Sequence, residues 1–297
     1  MKKIGIMYGI EKSFPQTLIN YLNSKKNGIK ASEVKIGALK STDKPQYNLI
    51  LDRISHQVPM YISYLKFCKL NGVYVINNPF WNCADNNFMH TVFAIKNKFK
   101  TPKTVLLPSK EIPEGTAHET LHNLIYPLNW DDIFEYIGFP AYLKPNDGHN
   151  SLYTYKVYNP SEFFSAYDIS GRKNMIIQEA LDYDAYYRVF VIRKELVRIV
   201  SYDPIKPLHL RYTNEPLNLS IKLKNEIVKI ARLISTHFDY DFNSIEFAIK
   251  DNNLFVMDFL NPAPKCDREI IDSDSFDWLL ENTAQMLIDY VNQNDNK

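Results

Sequence analysis

The sequence has few cysteines, no excess of charge of either sign and no long apolar run. Its 3 cysteines, Cys68, Cys83 and Cys266, are odd in number and lack the spacing of a metal site, so we expect reduced thiols in a cytoplasmic protein. The formal net charge of +1 gives no reason to expect a nucleic-acid or membrane-surface partner. No apolar stretch approaches the ~18 residues that a membrane span requires. Glu11 and Lys12 interrupt the N-terminal apolar run too early for a signal peptide.

The first part of the chain alternates strand and helix signals. The strand KIGIMYG is followed by the helix FPQTLINYLNS. The strands NLILDR and VYVINNP lie on either side of a helix in which Pro59 fits the first turn and Gly72 fits the C-terminal cap. This βαβ rhythm predicts a mostly parallel sheet covered by helices.

From about Trp81 onward, short strands bounded by prolines replace this rhythm. A hairpin turning near Arg193 and Lys194 follows, then an amphipathic helix with Ser220 as its N-cap, a second hairpin, and a last helix over about residues 275–292. The expected fold class is therefore α/β plus α+β, in which an N-terminal α/β domain precedes a region built on antiparallel sheets.

The second hairpin, SIEFAIKDNNLFVMDFLNPAP, carries an acid in each strand. Strand periodicity puts Glu246 on the less apolar face of the first strand. A three-residue loop over residues 251–253 would place Glu246 directly opposite Asp258, whereas a two-residue loop would place it opposite Met257. We favour the three-residue loop, with Asn252 or Asn253 in the left-handed conformation that asparagine tolerates.

Like charges directly opposed in a sheet are destabilising, so one acid would stay protonated or a cation would lie between the two. Mg²⁺, for which Mn²⁺ can substitute, prefers carboxylate and amide oxygens and adds substrate phosphates. Asn261 offers a further oxygen at the end of the second strand. The pattern therefore predicts a divalent metal site of Glu246, Asp258 and Asn261, with a solvated sheet face as the alternative. The apolar neighbours of Asp258 argue against simple exposure.

Two other strand ends carry polar groups. Lys144 ends an apolar strand in FPAYLKPNDGHNS, and a phosphate suits its compact charge. The loop that follows, residues 146–151, offers backbone N–H groups to phosphates, although an ordinary turn after a snorkelling lysine is the alternative. In MIIQEALDY, the strand end at Gln178 and Glu179 can offer backbone groups and a carboxylate to an adenine edge.

The order of these motifs along the chain, over roughly residues 81–264, resembles the ATP-grasp superfamily. The resemblance implies an ATP-grasp fold with an N-terminal α/β domain (residues 1–84), a central lid subdomain (residues 85–178) and a C-terminal subdomain with the metal site (residues 179–297), the last two clasping ATP. It also implies that Glu246, Asp258 and Asn261 hold Mg²⁺. The implied nucleotide-binding residues are Lys103, Lys144, Asp147, Gly148, His149, Asn150, Ser151, Gln178, Glu179, Ala180 and Leu181.

This chain departs from the family pattern in three places, one of which is the single glycine, Gly148, in the predicted phosphate loop. Many members open the central subdomain with an Asp-Lys pair whose lysine helps to bind the nucleotide, but here ADNNF places Asn86 or Asn87 there. We expect Lys103 to help bind the nucleotide in place of that lysine. Asp258 and Asn261 are separated by two residues rather than one, which puts them on opposite faces unless a bulge intervenes near Leu260.

The resemblance implies an ADP-forming ligase that joins a carboxylate to an amine (or thiol) through an acyl phosphate, acting on small-molecule or peptide substrates. Arg188, Lys206 and Arg211 are the candidates for stabilising the negative charge of that reaction, with surface cations as the alternative for each. A kinase of a small hydroxyl substrate and a nucleotide-binding protein without catalysis are the other functions that fit.

One motif match is a decoy. HETLH, residues 118–122, matches the zinc-protease pattern H-E-x-x-H. That pattern needs a long buried helix, yet Gly115 lies just before it and Pro127 just after it. We interpret the two histidines as residues of a short exposed helix.

Overall fold

The computed structural model describes residues 1–11, 13–25, 27–81, 86–147, 153–213 and 216–293. The chain divides into two compact units. The first unit contains Met1–Cys83, Tyr186–Phe247 and Phe259–Lys297, and the second contains Ala84–Ala185 and Ala248–Asp258. The division into residues 1–84, 85–178 and 179–297 stays a prediction.

The N-terminal part of the first unit is a four-stranded parallel sheet in the order β2-β1-β3-β4. This confirms the sheet predicted from the βαβ rhythm, although the strand β2 was missed because IKASE carries few apolar residues. Pro59 opens α2, and Gly72, at a φ of +85°, follows its end. The elements are β1 Lys2–Met7, α1 Ser13–Ser24, β2 Ile29–Glu33, β3 Leu49–Asp52, α2 Pro59–Leu70 and β4 Tyr74–Ile76.

The second unit contains a four-stranded antiparallel sheet in the order β5-β8-β6-β7. Phe163 and Trp130 lie in its core, with their ring centroids 5.5 Å apart. The HETLH segment forms a single 3₁₀ turn, His118–Leu121, rather than a long helix, as expected for a decoy. The elements are α3 Asn87–Lys96, β5 Thr104–Leu107, α4 Trp130–Ile137, β6 Ala141–Pro145, β7 Tyr155–Val157, α5 Pro160–Ser170 and β8 Met175–Glu179.

A third sheet has the order β10-β9-β11-β12. Arg193 and Lys194, both left-handed, form the predicted turn of its first hairpin, and the Ser220 hydroxyl caps the helix α6 by accepting from the Leu223 N–H at 3.2 Å. The elements are β9 Ala185–Ile192, β10 Leu196–Ser201, α6 Ile221–His237, β11 Phe242–Lys250, β12 Asn253–Asn261 and α7 Ser273–Gln293.

The turn between β11 and β12 differs from the prediction. It has two residues, Asp251 and Asn252, with φ values of +50° and +58°, and Asn253 already belongs to β12. Two successive left-handed residues make the tight hairpin turn that matches strand twist, and Asp and Asn both tolerate that conformation. The predicted three-residue loop is therefore wrong, and so is the strand register inferred from its length, in which Glu246 lay directly opposite Asp258.

The core of the first unit combines residues from both ends of the chain. Phe14 of α1 packs against Phe242 of β11 and Phe276 of α7, with ring centroids 6.4 and 6.0 Å apart. Among the described residues, no helix has both the length and the hydropathy needed to cross a membrane.

Candidate functional site

The first unit holds a buried polar cluster centred on Arg188 of β9. The Arg188 guanidinium forms an ion pair with Glu246 of β11 and donates to the hydroxyls of Tyr212, at 2.9 Å, and Tyr202, at 2.8 Å. The other carboxylate oxygen of Glu246 accepts from the Tyr186 hydroxyl at 2.6 Å. We call these five residues the Arg188 cluster.

Strand periodicity and strand order assemble the cluster. Tyr186 and Arg188 are two residues apart on β9, so their side chains lie on one face. Tyr202 continues β10, where its N–H donates to the Tyr186 carbonyl at 3.1 Å, and it forms an isolated bridge with Tyr212. Glu246 reaches the same face because β11 is the neighbour of β9 in the sheet.

The cluster stabilises a permanent positive charge in a dry environment. Arg188 is 7% exposed, and its burial alone would lower the pKa of the guanidinium, but Tyr212 and Glu246 outweigh that effect and raise the pKa well above its ordinary value. Burial also raises the pKa of the Tyr202 and Tyr212 hydroxyls, so both stay neutral. The guanidinium carbon lies 3.9 Å from the Tyr202 ring centroid.

One donor of this buried cation has no internal acceptor in the part of the chain that the structure describes. The Nε atom of Arg188 is buried and has no hydrogen-bond partner there. A buried N–H without a partner is costly, which makes a bound acceptor favourable at this position. An anionic oxygen would form a charge-assisted hydrogen bond there.

Of the other two predicted cations, the structure brings one to the cluster. Arg211 donates to the Tyr202 hydroxyl at 3.4 Å and, through Nε, to the Lys206 carbonyl at 2.9 Å. The Lys206 ammonium instead lies 3.7 Å from Asp203 in an exposed pair. Lys206 thus orients Arg211 through its backbone, while its side chain lies outside the cluster.

The predicted metal ligands divide between the two units. Glu246 and Asn261 belong to the first and Asp258 to the second. The Asn261 side-chain oxygen accepts from the Ala263 N–H at 3.1 Å. The backbone N–H of Asn261 donates to the side-chain oxygen of the buried Asn243 at 2.9 Å. Within the described ranges, no group of three or more His, Cys, Asp or Glu residues could hold a metal ion.

The end of β12 also departs from regular strand periodicity. Residues 257 and 258 are both half-buried and residues 259 and 260 are both buried, so the strict alternation of the strand is lost there. Asn243 bonds to the Phe259 carbonyl at 3.1 Å as well as to the N–H of Asn261. This irregularity lies near Leu260, where a bulge would be needed to bring Asp258 and Asn261 to one face of the strand.

In the second unit, Lys144 lies near the end of β6, opposite Ile176 of β8. It is half-buried, whereas Ala141 and Leu143 of the same strand are buried. Asp147 is exposed and accepts from the Asn146 amide at 3.1 Å. The predicted phosphate-loop residues Gly148, His149, Asn150 and Ser151 lie outside the described residues.

Asparagines hold the chain directly after Lys144. Asn146 is 6% exposed, and its side-chain oxygen accepts from the Phe88 N–H at 2.9 Å. The Asn87 side chain donates to the carbonyls of Asn146, at 3.0 Å, and Pro145, at 3.3 Å. Asn87 thus ties the start of α3 to the end of β6.

The predicted adenine-side residues lie at the end of β8. Glu179 accepts from the Lys103 N–H at 3.2 Å through its carboxylate, and the Lys103 ammonium lies 5.5 Å from the Tyr136 ring centroid. The Ala180 N–H donates to the Pro140 carbonyl at 3.1 Å, and Leu181 is half-buried. Their contact with a nucleotide stays a prediction.

Unlike Glu179, Ala180 and Leu181, which are half-buried, Gln178 is 7% exposed, and it donates to the Thr104 hydroxyl at 2.9 Å. Its side chain therefore has an internal partner within the second unit.

Sequence reasoning singled out Arg188, Arg211 and Glu246 but missed the three tyrosines. The signal that was present is the alternation in AYYRVF, which puts Tyr186 and Arg188 on one strand face. Asn87 and Asn146 were not recognised as partners because their contact joins segments 58 residues apart or more.

Comparison with known proteins identifies the fold. No protein-family model matches the sequence, and no curated protein matches it by sequence. Among solved structures, D-alanine–D-alanine ligase from Bacillus anthracis complexed with ATP is similar with a TM-score of 0.69 at 17% identity, over 100% of this chain and 99% of that chain. A RimK domain ATP-grasp protein from Sphaerobacter thermophilus is similar with a TM-score of 0.67 at 14% identity, over 97% of this chain and 99% of that chain.

A third similar structure is the ATP-grasp ligase PsnB complexed with its minimal precursor, with a TM-score of 0.62 at 12% identity, over 97% of this chain and 98% of that chain. The chain therefore has the ATP-grasp fold, which confirms the fold class predicted from the sequence.

Proposed function

We propose that this chain, a protein with the ATP-grasp fold, is an ATP-dependent, ADP-forming ligase that joins a carboxylate to an amine (or thiol). The observation that carries the proposal is the buried Arg188, whose Nε atom has no partner among the described residues, in a cluster that keeps the guanidinium charged. The fold similarity to ATP-grasp ligases over almost the full chain supports the same reaction class.

The reaction needs a cationic group that stabilises developing negative charge. A carboxylate oxygen of the substrate forms a bond to the γ-phosphorus of ATP while the bond to the β–γ bridging oxygen breaks, and ADP leaves. The amine nitrogen then attacks the carbonyl carbon, phosphate leaves, and the amine gives up a proton to solvent. Both steps develop negative charge on oxygen, which a fixed buried cation stabilises more than water does.

The Arg188 cluster has the properties for this role. Arg188 would donate through Nε to the carboxylate or the tetrahedral oxyanion, and Arg211 would hold a second oxygen. Glu246 and the tyrosine hydroxyls fix the guanidinium in one orientation, so little reorganisation is needed when charge develops.

The nucleotide would be held by Lys144, Asp147, Glu179, Ala180, Leu181, Lys103 and Gln178 of the second unit, together with the loop from Gly148 to Ser151. Lysine and loop N–H groups suit phosphate, and the strand end at Glu179 suits the adenine and ribose. Asn87 and Asn146 would fix the chain directly after Lys144.

The donor set of Glu246, Asp258 and Asn261 fits Mg²⁺ because all three offer hard oxygen ligands. The oxygens of Glu246 and Asn261 that already accept one hydrogen bond each keep a further lone pair that could bind the metal ion. When bound, the ion would neutralise part of the negative charge of the ATP phosphates.

The substrates are proposed to be amino acids or peptides. The similar structures include a ligase of two D-alanines and a ligase solved with its minimal precursor. The cytoplasmic location expected from the cysteine usage fits a supply of ATP and stays a prediction.

A second candidate, a nucleotide-binding protein without catalysis, is favoured by Asn87. Many ATP-grasp proteins carry a nucleotide-binding lysine at the place of Asn86 or Asn87, and here the Asn87 side chain donates to backbone carbonyls.

The test is phosphate and ADP release from ATP and Mg²⁺ with pooled amino acids and short peptides. A ligase releases both only when an acid and a nucleophile are present together. A phosphorylated product without phosphate release would indicate a kinase instead, and nucleotide binding without turnover would indicate the binding protein. Arg188→Lys should abolish release while Arg193→Met, which removes an ion pair with Asp289 elsewhere in the same unit, should not.

A further inference from the structure

A second buried arginine lies in the first unit, outside the Arg188 cluster. Arg53 directly follows β3 and is 2% exposed. Its Nε and Nη2 atoms donate to the two carboxylate oxygens of Glu11, at 2.8 and 2.6 Å. The guanidinium carbon lies 5.0 Å from the ring centroids of both Phe14 and Phe242.

A buried ion pair of this kind is not an efficient way to stabilise a core, because the desolvation of two charges offsets much of their attraction. Burial opposes the charge of Arg53, but Glu11 outweighs it and raises the pKa of the guanidinium. The environment is dry enough that burial raises the pKa of the neighbouring Cys266 thiol to about 12. The pair therefore calls for a role besides packing.

Its third contact suggests that role. Arg53 Nη2 also donates to the Pro264 carbonyl at 2.7 Å and lies 3.5 Å from the Cys266 sulfur. Asp267, the next residue, accepts from the N–H groups of Ser13 and Phe14 at the start of α1, both at 3.0 Å. The segment that follows β12 is thus fixed to the N-terminal sheet and helix.

The same segment supports the Arg188 cluster. Lys265 lies in the sequence between Pro264 and Cys266, the two residues of this segment that Arg53 contacts. Its carbonyl accepts from the Tyr212 hydroxyl at 2.7 Å. Tyr212 in turn accepts from Arg188. A continuous set of contacts therefore runs from Glu11 through Arg53, residues 264–266 and Tyr212 to Arg188.

From this geometry we infer that the Glu11–Arg53 ion pair is a positioning element for Arg188. It fixes the Lys265 carbonyl, which orients the Tyr212 hydroxyl, which sets where the Arg188 guanidinium lies. The inference rests on the proposed function for its catalytic consequence, but the effect on Arg188 itself does not depend on any activity.

The test uses the double variant Glu11→Met/Arg53→Met, which replaces the pair with apolar side chains of similar length. Such replacements often retain stability, whereas Arg53→Met alone leaves Glu11 buried and should strongly lower the urea midpoint. The double variant keeps the packing between Phe14 and Phe242 but removes the contact with the Pro264 carbonyl. Arg193→Met, outside this set of contacts, is the matched control.

The primary readout is the Nε–Hε NMR signal of Arg188 in protein labelled with ¹⁵N-arginine, assigned by its loss in Arg188→Lys. We expect the double variant to shift this signal and to speed its exchange with water about tenfold or more. The control should leave it unchanged. With ATP, Mg²⁺ and the pooled acids and amines, kcat should fall about ten- to hundredfold while KM for ATP stays within about twofold, as expected for a misplaced group rather than lost binding.

An unchanged Arg188 signal in a folded double variant overturns the inference, whatever the activity. If the double variant does not fold, Arg53→Lys decides instead. An ammonium lacks the planar fork with which the guanidinium holds both Glu11 oxygens and the Pro264 carbonyl, so the Arg188 signal should again move, and an unmoved signal overturns the inference. A wild-type protein without Mg²⁺-dependent turnover refutes the proposed function alone, because the NMR readout still decides the positioning role.

Discussion

Arg188→Met removes the cation from the centre of the Arg188 cluster and leaves Glu246 with the Tyr186 hydroxyl as its one partner among the residues that the structure describes. The side chains of the pair are 8% and 12% exposed, so water cannot replace the lost contact. Removing one partner of a buried ion pair costs about 3–5 kcal/mol of the free energy of unfolding. The Tyr212 hydroxyl also loses the hydrogen bond from Arg188, and the Tyr202 hydroxyl loses one of its two arginine donors and keeps Arg211.

Urea unfolding followed by circular dichroism measures this loss. The matched control is Arg193→Met, whose ion pair with Asp289 has side chains 33% and 29% exposed and is expected to contribute about 0–1 kcal/mol. The double variant Arg188→Met/Glu246→Gln should recover part of the stability because it leaves no buried charge without a partner. A loss for Arg188→Met as small as that of Arg193→Met would refute the described burial and pairing of the cluster.

Three further outcomes are expected. Burial raises the pKa of Tyr167 to about 12. Since unfolded tyrosine ionises near pH 10, the free energy of unfolding should fall as the pH rises from about 10 toward 12, and Tyr167→Phe should reduce that slope in urea titrations at several pH values. Asn252→Val forces a branched residue into a left-handed turn position and should cost about 1–3 kcal/mol in the same assay, whereas Asn252→Gly should not. Asn87→Leu breaks the contact with residues 145 and 146, so calorimetry should show weaker ATP binding, and unchanged affinity would count against its role next to Lys144.

Much of the fold could be predicted because local signals and tertiary structure agree. The cap at Ser220 and the turn at Arg193 and Lys194 depend on a few neighbouring residues, and both are confirmed. The turn at residues 251–252 could not be counted correctly because Asp251, Asn252 and Asn253 all tolerate a left-handed backbone. Short strands such as β2 and β7, with little apolar periodicity, gave no signal.

The site was predicted less completely because its contacts join distant segments. Glu246 was expected to need a metal ion or a proton, but a third solution, an arginine from the neighbouring strand, was not considered. That solution depends on β9 lying beside β11, which local sequence patterns do not reveal. The pairing of Arg53 with Glu11 could not be predicted for the same reason, since the two residues are 42 positions apart.

The central claim, activation of a carboxylate by ATP, is tested most directly with amino-acid and peptide substrates labelled with oxygen-18 in the carboxylate. Transfer of the γ-phosphoryl group to that carboxylate moves a labelled oxygen into the phosphate that is later released. The proposed ligase predicts one labelled oxygen in each phosphate, detected by mass spectrometry. Release of unlabelled phosphate, or no release with any acid and amine supplied together, would contradict the claim.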